Sequence, residues 1–542
     1  MSESNKFTLT DKSILIIDDQ KSFQKLLKGM LLQLGANNIS FFETGEAALA
    51  KFDKETVDIV FIDYNLGNGR NGKQFLEELK YLGKLSRHCI TILVTGESTR
   101  SVVLSVLEIE PDDYLIKPFS TGMLKQRLSK LMKKKTLFYP AHQALEDSDF
   151  DKAIAVYTQL GNSLPRVKQY CAKHLCQIYL ASGEIVLAKK LLESILQKGR
   201  PSWALTFLAQ SFLQLQEYDC AIRLCDELLG QNRFNIDALD IKAQCLNKLN
   251  QGKESLFLIE QSCQIAPFSF ARQQKYADIA AQQNSLKSFT QANLNLLQLT
   301  KGTAFEDLSY QFNFIRALFH ELNNANSKEQ KVETSSQIKK ALKNAHKDAV
   351  KLDTEILFTE FETFCSARLA AASGDYVKAK KTIAPYIAEQ QVHDTVLPDS
   401  IIALLDIGEY EEANQHLERF KTLEQANTTN INQLLNYHQS AAERQKEFEQ
   451  HNVKGIEFYK RGDYLKAINE FELALNYAPT NTGSALNLLQ ALIQLLPKQN
   501  QSTDVLREKC ENTFALVDGM ALPKQHSKRL TDLKREYNKL AA

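Results

Sequence analysis

No apolar run in the 542 residues approaches the length that a bilayer crossing needs. The first residues, MSESNKFTLTDK, lack the apolar core of a secretory leader. A cytoplasmic protein without membrane association is therefore expected. Charge of one sign is missing too. Sixty-six Lys+Arg against 65 Asp+Glu leave a formal net charge of +1, so there is no broad basic footprint for nucleic acid or anionic lipid. Nine cysteines contain no C-x-x-C pair, and the closest, Cys171/Cys176 and Cys220/Cys225, are each five apart in helical patterns. That excludes a zinc framework and points to thiols packing as small apolar residues. His320 opens HELNN, which starts like a zinc-binding helix but has Asn324 where the second ligand should stand. The only tryptophan, Trp203, and nearby Phe207 read as core residues.

What is present falls into two kinds of sequence. Up to about residue 130, β-branched runs (SILIID, NISFFET, VDIVFID, CITILVTG, DDYLIKP) alternate with amphipathic stretches such as SFQKLLKGMLLQLG. Five βα units of this kind predict a doubly wound α/β domain with a parallel sheet covered on both faces. Ligands of such sheets bind at the carboxyl ends of the strands. One loop there, GNGRNGKQ at 67–74, nearly spells a phosphate-binding P-loop. It fails at Gln74, because an amide cannot supply the hydroxyl that holds magnesium.

The other strand ends carry a more coherent chemistry. Asp18 and Asp19 end the first strand, Asp63 the third and Thr95 the fourth, and Lys117 follows the fifth. Three carboxylates on one edge repel unless a cation joins them, and hard oxygen ligands suit Mg²⁺ (or Mn²⁺). Lys117 adds a point charge and Thr95 a hydroxyl, both suited to a phosphoryl group on Asp63. The implied step is attack of the Asp63 carboxylate on a phosphorus donor.

With these residues in this order, the segment 12–130 resembles the receiver domain of two-component response regulators, a flavodoxin-like fold. The separations of 44 residues from Asp19 to Asp63 and 19 from Thr95 to Tyr114 agree with that pattern, as does Lys117-Pro118-Phe119. The resemblance implies a phosphoacceptor at Asp63 and a switch pair in Thr95 and Tyr114. It also implies a metal site of Asp18, Asp19, Asp63 and the Asn65 backbone carbonyl, tuning of dephosphorylation by Asn65 and Glu97, and a cis Lys117–Pro118 bond. Gly67 replaces the family's usual proline, and the loop before Gly72 is one residue longer. The implied phosphodonor is a histidine kinase or a histidine phosphotransfer protein.

From about 140 onward helices follow helices. A small residue, an acid, an aromatic and then an alanine recur in SDFDKA, GEYEEA, GDYVKA and GDYLKA, with GEIVLA as a variant. The alanine position falls at 153, 188, 221, 255 (serine), 379, 413 and 467, and most neighbouring separations are 33 to 35. That period resembles the tetratricopeptide (TPR) repeat, an all-α solenoid. The clearest copy is GIEFYKRGDYLKAINEFELALNYAP, and Phe289 marks a decayed one. The expected organisation is a tail (1–11), the receiver (12–130), a linker (131–140) and a first array (141–300). Off-pattern helices (301–350), a second array (351–500) and capping helices (501–542) follow.

These readings give a phosphorylation-dependent signalling regulator whose repeats bind an unidentified protein. It is not an enzyme beyond its own phosphoryl transfer and dephosphorylation. The alternative is a phosphate sink that modulates a kinase, with the repeats as scaffold or dimerisation arm, which leaves a homodimer open. After residue 140 there is no helix-turn-helix with a basic recognition helix, so no nucleic-acid partner is expected.

Overall fold

The β-branched runs form five strands: β1 (Ser13–Ile17), β2 (Asn38–Phe42), β3 (Ile59–Asp63), β4 (Ile90–Thr95) and β5 (Asp113–Ile116). The computed structural model describes residues 7–67, 70–96, 99–389, 392–423, 428–498, 503–520, 522 and 524–541. The strands pair in parallel in the order β2-β1-β3-β4-β5. Both β3 and β4 are buried along their whole length, which is why they read as continuous apolar runs.

Helices α1 (Lys21–Gln33), α2 (Gly45–Phe52), α3 (Gly72–Tyr81), α4 (Arg100–Glu108) and α5 (Thr121–Glu146) connect and cover the strands. Alternation along each strand divides the core in two. Ile14, Ile16, Phe61 and Ile92 pack against Leu27, Leu31, Leu124 and Leu128 of α1 and α5. Leu15, Ile17, Val60 and Leu93 meet Ala48, Phe75, Leu76 and Val106 of α2, α3 and α4 on the other face. The strand order reverses between β1 and β3, so their carboxyl ends, with Asp18 and Asp63, open into one crevice.

One boundary is corrected. Residues 131–140, expected as a linker, are the middle of α5, a helix of 26 residues that enters the repeats unbroken. Lys135 holds this stretch to the receiver, donating to the carbonyls of Arg87 (2.9 Å) and Cys89 (2.8 Å) and pairing with Asp112 at 2.9 Å. Leu131, Phe138 and Ala141 are buried on its inner side, and Pro140 is accommodated within the helix.

The chain divides into two compact units, residues 1–307 and 308–542. Among the described residues, nine further α-helices lie between Phe150 and Thr300, and eleven between Leu308 and Ala541. The repeat pattern is borne out at every position. Ala153, Ala188, Ala221, Ser255, Ala379, Ala413 and Ala467 are all 0% exposed, as close helix contact requires. Serine is tolerated at 255 because its hydroxyl donates to the Ala243 carbonyl at 2.7 Å. Residues 301–350 contain the helices Leu308–Asn323 and Lys328–Lys351, the second burying Ile338, Leu342, Ala345 and Ala349 along one stripe. Eight of the nine cysteines are buried and none forms a disulfide. Among the described residues no helix is long and apolar enough to cross a membrane.

Candidate functional site

The carboxylates of Asp18, Asp19 and Asp63 converge, each offering an oxygen within 4.8 Å of the others. Asp18 and Asp63 are buried and Asp19 is exposed. Asp18 is fixed from behind: its Oδ1 accepts from the Gln20 amide (2.8 Å), and its own carbonyl accepts from the Gln24 side chain (2.6 Å). Lys117 Nζ donates to Asp18 Oδ2 at 2.7 Å and lies 3.0 Å from Asp63 Oδ1. The second contact is an ion pair outside hydrogen-bond geometry, and Asp63 Oδ1 has no hydrogen-bond partner. Burial pushes the Asp63 carboxyl up to about 6. Lys117 opposes that rise, and the charges of Asp18 and Asp19 add to it. One ammonium set against three converging carboxylates leaves excess negative charge, and such a cluster suits a further cation.

The other expected residues gather around this cluster. Thr95 ends β4 and is 2% exposed. The Lys117 amide donates to the Thr95 carbonyl at 2.7 Å, and the Lys117–Pro118 bond is cis. The Lys117 ammonium also sits 3.9 Å from the ring centroid of Phe23, a cation–π contact that sequence reasoning did not foresee. Tyr114 is half-buried against the α2–α4 side of the core. Asn65 is exposed, two residues beyond Asp63. Glu97 lies outside the described residues.

The loop GNGRNGKQ does not cradle phosphate with its lysine. Gly72 passes so close to the strand that a Cβ there would lie 2.0 Å from the Asp63 carbonyl oxygen, and its amide donates to the Tyr64 carbonyl at 2.8 Å. Asn71 and Gln74 then form a capping box, each side chain accepting from the other's amide at 2.9 Å. That is the role of Gln74, where a P-loop would place a hydroxyl. Lys73 is only 1% exposed and donates to the carbonyl of Phe268.

Phe268 belongs to the repeats, and this contact is one of a set. Gln74 Nε2 donates to the Leu299 carbonyl at 2.9 Å, and Glu78 accepts from the Ala304 amide at 2.9 Å. The rings of Tyr81 and Phe305 meet with centroids 4.6 Å apart. Arg70, in the loop between β3 and α3, pairs with Glu78 and, at 2.6 Å, with Glu46. At the end of α4, Glu108 pairs with Arg272 of the helix Phe270–Gln282, and Arg272 also holds Asp240 at 3.0 Å and the Ala266 carbonyl at 2.9 Å. The two helices that leave the edges of the acidic pocket, α3 and α4, are therefore both clasped by one part of the repeats, 266–305. Sequence reasoning took up Lys73 only as the lysine of the P-loop-like pattern and did not single out Arg70, Glu78 or Arg272, whose charges read as solvated.

A family model for the response regulator receiver domain matches residues 14–129. Chemotaxis protein CheY-3 of Vibrio cholerae is 29% identical over 121 residues, which are 22% of this chain and 92% of that protein. Chemotaxis protein CheY of Pseudomonas aeruginosa is 26% identical over 121 residues, 22% of this chain and 96% of that protein. Among solved structures, a tetratricopeptide repeat protein from Parabacteroides merdae aligns with a TM-score of 0.30 at 12% identity, over 56% of this chain and 98% of its own.

Proposed function

Residues 14–129 are a response regulator receiver domain, and from that premise we propose that the protein is a phosphorylation-dependent signalling regulator whose Asp63 state is read by its own repeats. A histidine kinase or histidine phosphotransfer protein is the phosphodonor, and the TPR array binds a protein partner. The observation that carries this reading is the clasp: α3 along its length and α4 at its end both contact residues 266–305.

The chemistry follows from the side chains. An Asp63 carboxylate oxygen attacks the donor phosphorus, a new O–P bond forms, and the bond to the donor breaks with its electron pair leaving on the donor. Asp18, Asp19, Asp63 and the Asn65 carbonyl would hold Mg²⁺ or Mn²⁺, which supplies charge neutralisation for the phosphoryl oxygens. Lys117, already poised between Asp18 and Asp63, moves its ammonium onto a phosphoryl oxygen. Thr95 bonds another oxygen, and Tyr114 turns into the space it leaves. Asn65 and Glu97 set how quickly water removes the group.

A phosphoryl group on Asp63 adds charge beside a backbone that Gly72 already crowds. The start of α3 lies against the Asp63 backbone, so a backbone shift at Asp63 would pass to Lys73, Gln74 and Glu78. In a passive phosphate sink the same contacts would hold the receiver without responding to the phosphoryl group. The test of the site is intact-mass measurement after incubation with acetyl phosphate. One phosphoryl group is expected on the protein when Mg²⁺ is present and none on Asp63→Ala. Labelling of that variant, or labelling without a divalent ion, would overturn the assignment.

A further inference from the structure

The second unit contains a groove of about 700 Å³ between the helices Lys328–Lys351, Glu355–Ala372 and Tyr376–Glu389. Lys339, Lys343 and Lys347 stand along one wall at intervals of one helical turn, and Lys378 faces them from the third helix. All four are exposed, and none is in an ion pair with a described residue. Some lysines of the same unit do find acids: Lys380 meets Glu409, Lys509 meets Glu472 and Lys534 meets Asp518, each at 2.6 Å.

Helix electrostatics accounts for part of this pattern only. Lys343 and Lys347 lie in the C-terminal half of a 24-residue helix, where a cation suits the dipole. Lys378 lies in the first turn of its helix, where the dipole disfavours a cation. Of the two acids lining the groove, Asp375 also caps its helix, accepting from the Lys378 amide at 3.1 Å. With Glu362 it sets two acids against four lysines. The floor is apolar, made by Leu342, Leu369 and Ala370.

We infer that this groove binds an acidic peptide segment of a partner protein. Its carboxylates would meet Lys339, Lys343, Lys347 and Lys378, and an apolar side chain would rest on Leu342 and Leu369. The inference rests on reading the repeats as a partner-binding array and names the class of partner. Lysines about 6 Å apart along a helix match carboxylates on alternate residues of an extended chain or on successive turns of a helix. Among the described residues the lining has no arginine and no Trp, Tyr or Phe, and its one ring is His346, so it offers no succession of stacking platforms such as single-strand nucleic-acid sites use. A groove of this volume takes a few side chains and cannot admit a duplex.

The test is fluorescence anisotropy of the full-length, unphosphorylated protein with a short labelled peptide of glutamates interrupted by leucines. Saturable binding that weakens with salt is expected. The double variant Lys343→Glu/Lys347→Glu should lose at least about tenfold in affinity. Lys340→Glu, exposed on the same helix but outside the groove, should bind as the parent does, and circular dichroism should show all three folded. No binding by the parent, equal weakening by Lys340→Glu, or displacement of the peptide by a single-stranded oligonucleotide at equal concentration would each overturn the inference. Because no phosphodonor is present, such a failure leaves the assignment of Asp63 untouched, and failure of Asp63 to accept phosphate leaves the groove untouched.

Discussion

The side-chain amide of Gln74 donates to the backbone carbonyl of Leu299 at 2.9 Å, joining positions 225 residues apart. The same side chain's oxygen caps α3 through the Asn71 amide. One residue thus holds the helix start beside Asp63 and fastens it to the repeats. Gln74→Glu separates the two roles, since a glutamate still completes the capping box but cannot donate to Leu299. It is expected to cost about 0.5–1.5 kcal/mol, the net worth of one half-buried hydrogen bond. Urea unfolding measures the loss, and hydrogen exchange should place it at residues 266–305 as well as at α3. A loss confined to the receiver would contradict the clasp.

Arg272 carries a larger share. It is 4% exposed and serves Glu108, Asp240 and the Ala266 carbonyl together. Arg272→Ala strands two carboxylates in a dry environment and is expected to cost about 3–5 kcal/mol in urea unfolding. Lys173→Ala removes the neighbouring pair with Glu110, whose side chains are 34% and 60% exposed, and should cost less than about 1 kcal/mol. Similar costs for the two would mean that the Arg272 network is solvated in solution.

Acid should loosen the joint between the receiver and the first repeat. Burial holds the His142 imidazole down to about 3 and that of His174 to about 4, each helped by neighbouring lysines. Their packing is aromatic: His142 against Phe138, and His174 stacked on Tyr157. Both folded values lie below the unfolded one of 6.5. The unfolded chain therefore binds more protons below pH 6.5, and stability falls as pH drops through that value. At pH 5 each histidine should withdraw on the order of 2 kcal/mol relative to pH 7.5. Unfolding curves across this range test it, and His174→Gln should flatten the dependence by about half.

The sheet, the acidic cluster and the repeat positions were legible because each follows a periodicity or a strand-end rule. Burial of Asp18, Asp63 and Thr95 and full burial of all seven small repeat residues came directly from pattern. What escaped is polar. LMKKKTLFYP looked like a linker because three lysines and a proline hide the buried side of a helix, and Lys135 is there to meet receiver carbonyls. Lys73 looked like the lysine of a P-loop, and Glu78 and Arg272 like surface charges, because their partners, Phe268, Ala304 and Glu108, lie far away in sequence. No local signal marks a charge that will be buried by a distant repeat. The nearest to one was Gln74 itself, an amide standing where the loop pattern called for a hydroxyl.

If the repeats read Asp63 through α3 and α4, residues 266–305 respond when Asp63 is occupied. Hydrogen exchange of the full-length protein with and without beryllofluoride and Mg²⁺, followed at peptides covering 266–305, tests it most directly. Coupling of about 1–3 kcal/mol would change exchange there by several-fold or more. The expected result is lower protection across 266–305 when the phosphoryl mimic binds, absent in Asp63→Ala. Unchanged exchange at 266–305, with peptides spanning Asp63 gaining protection in the same sample, would contradict the account.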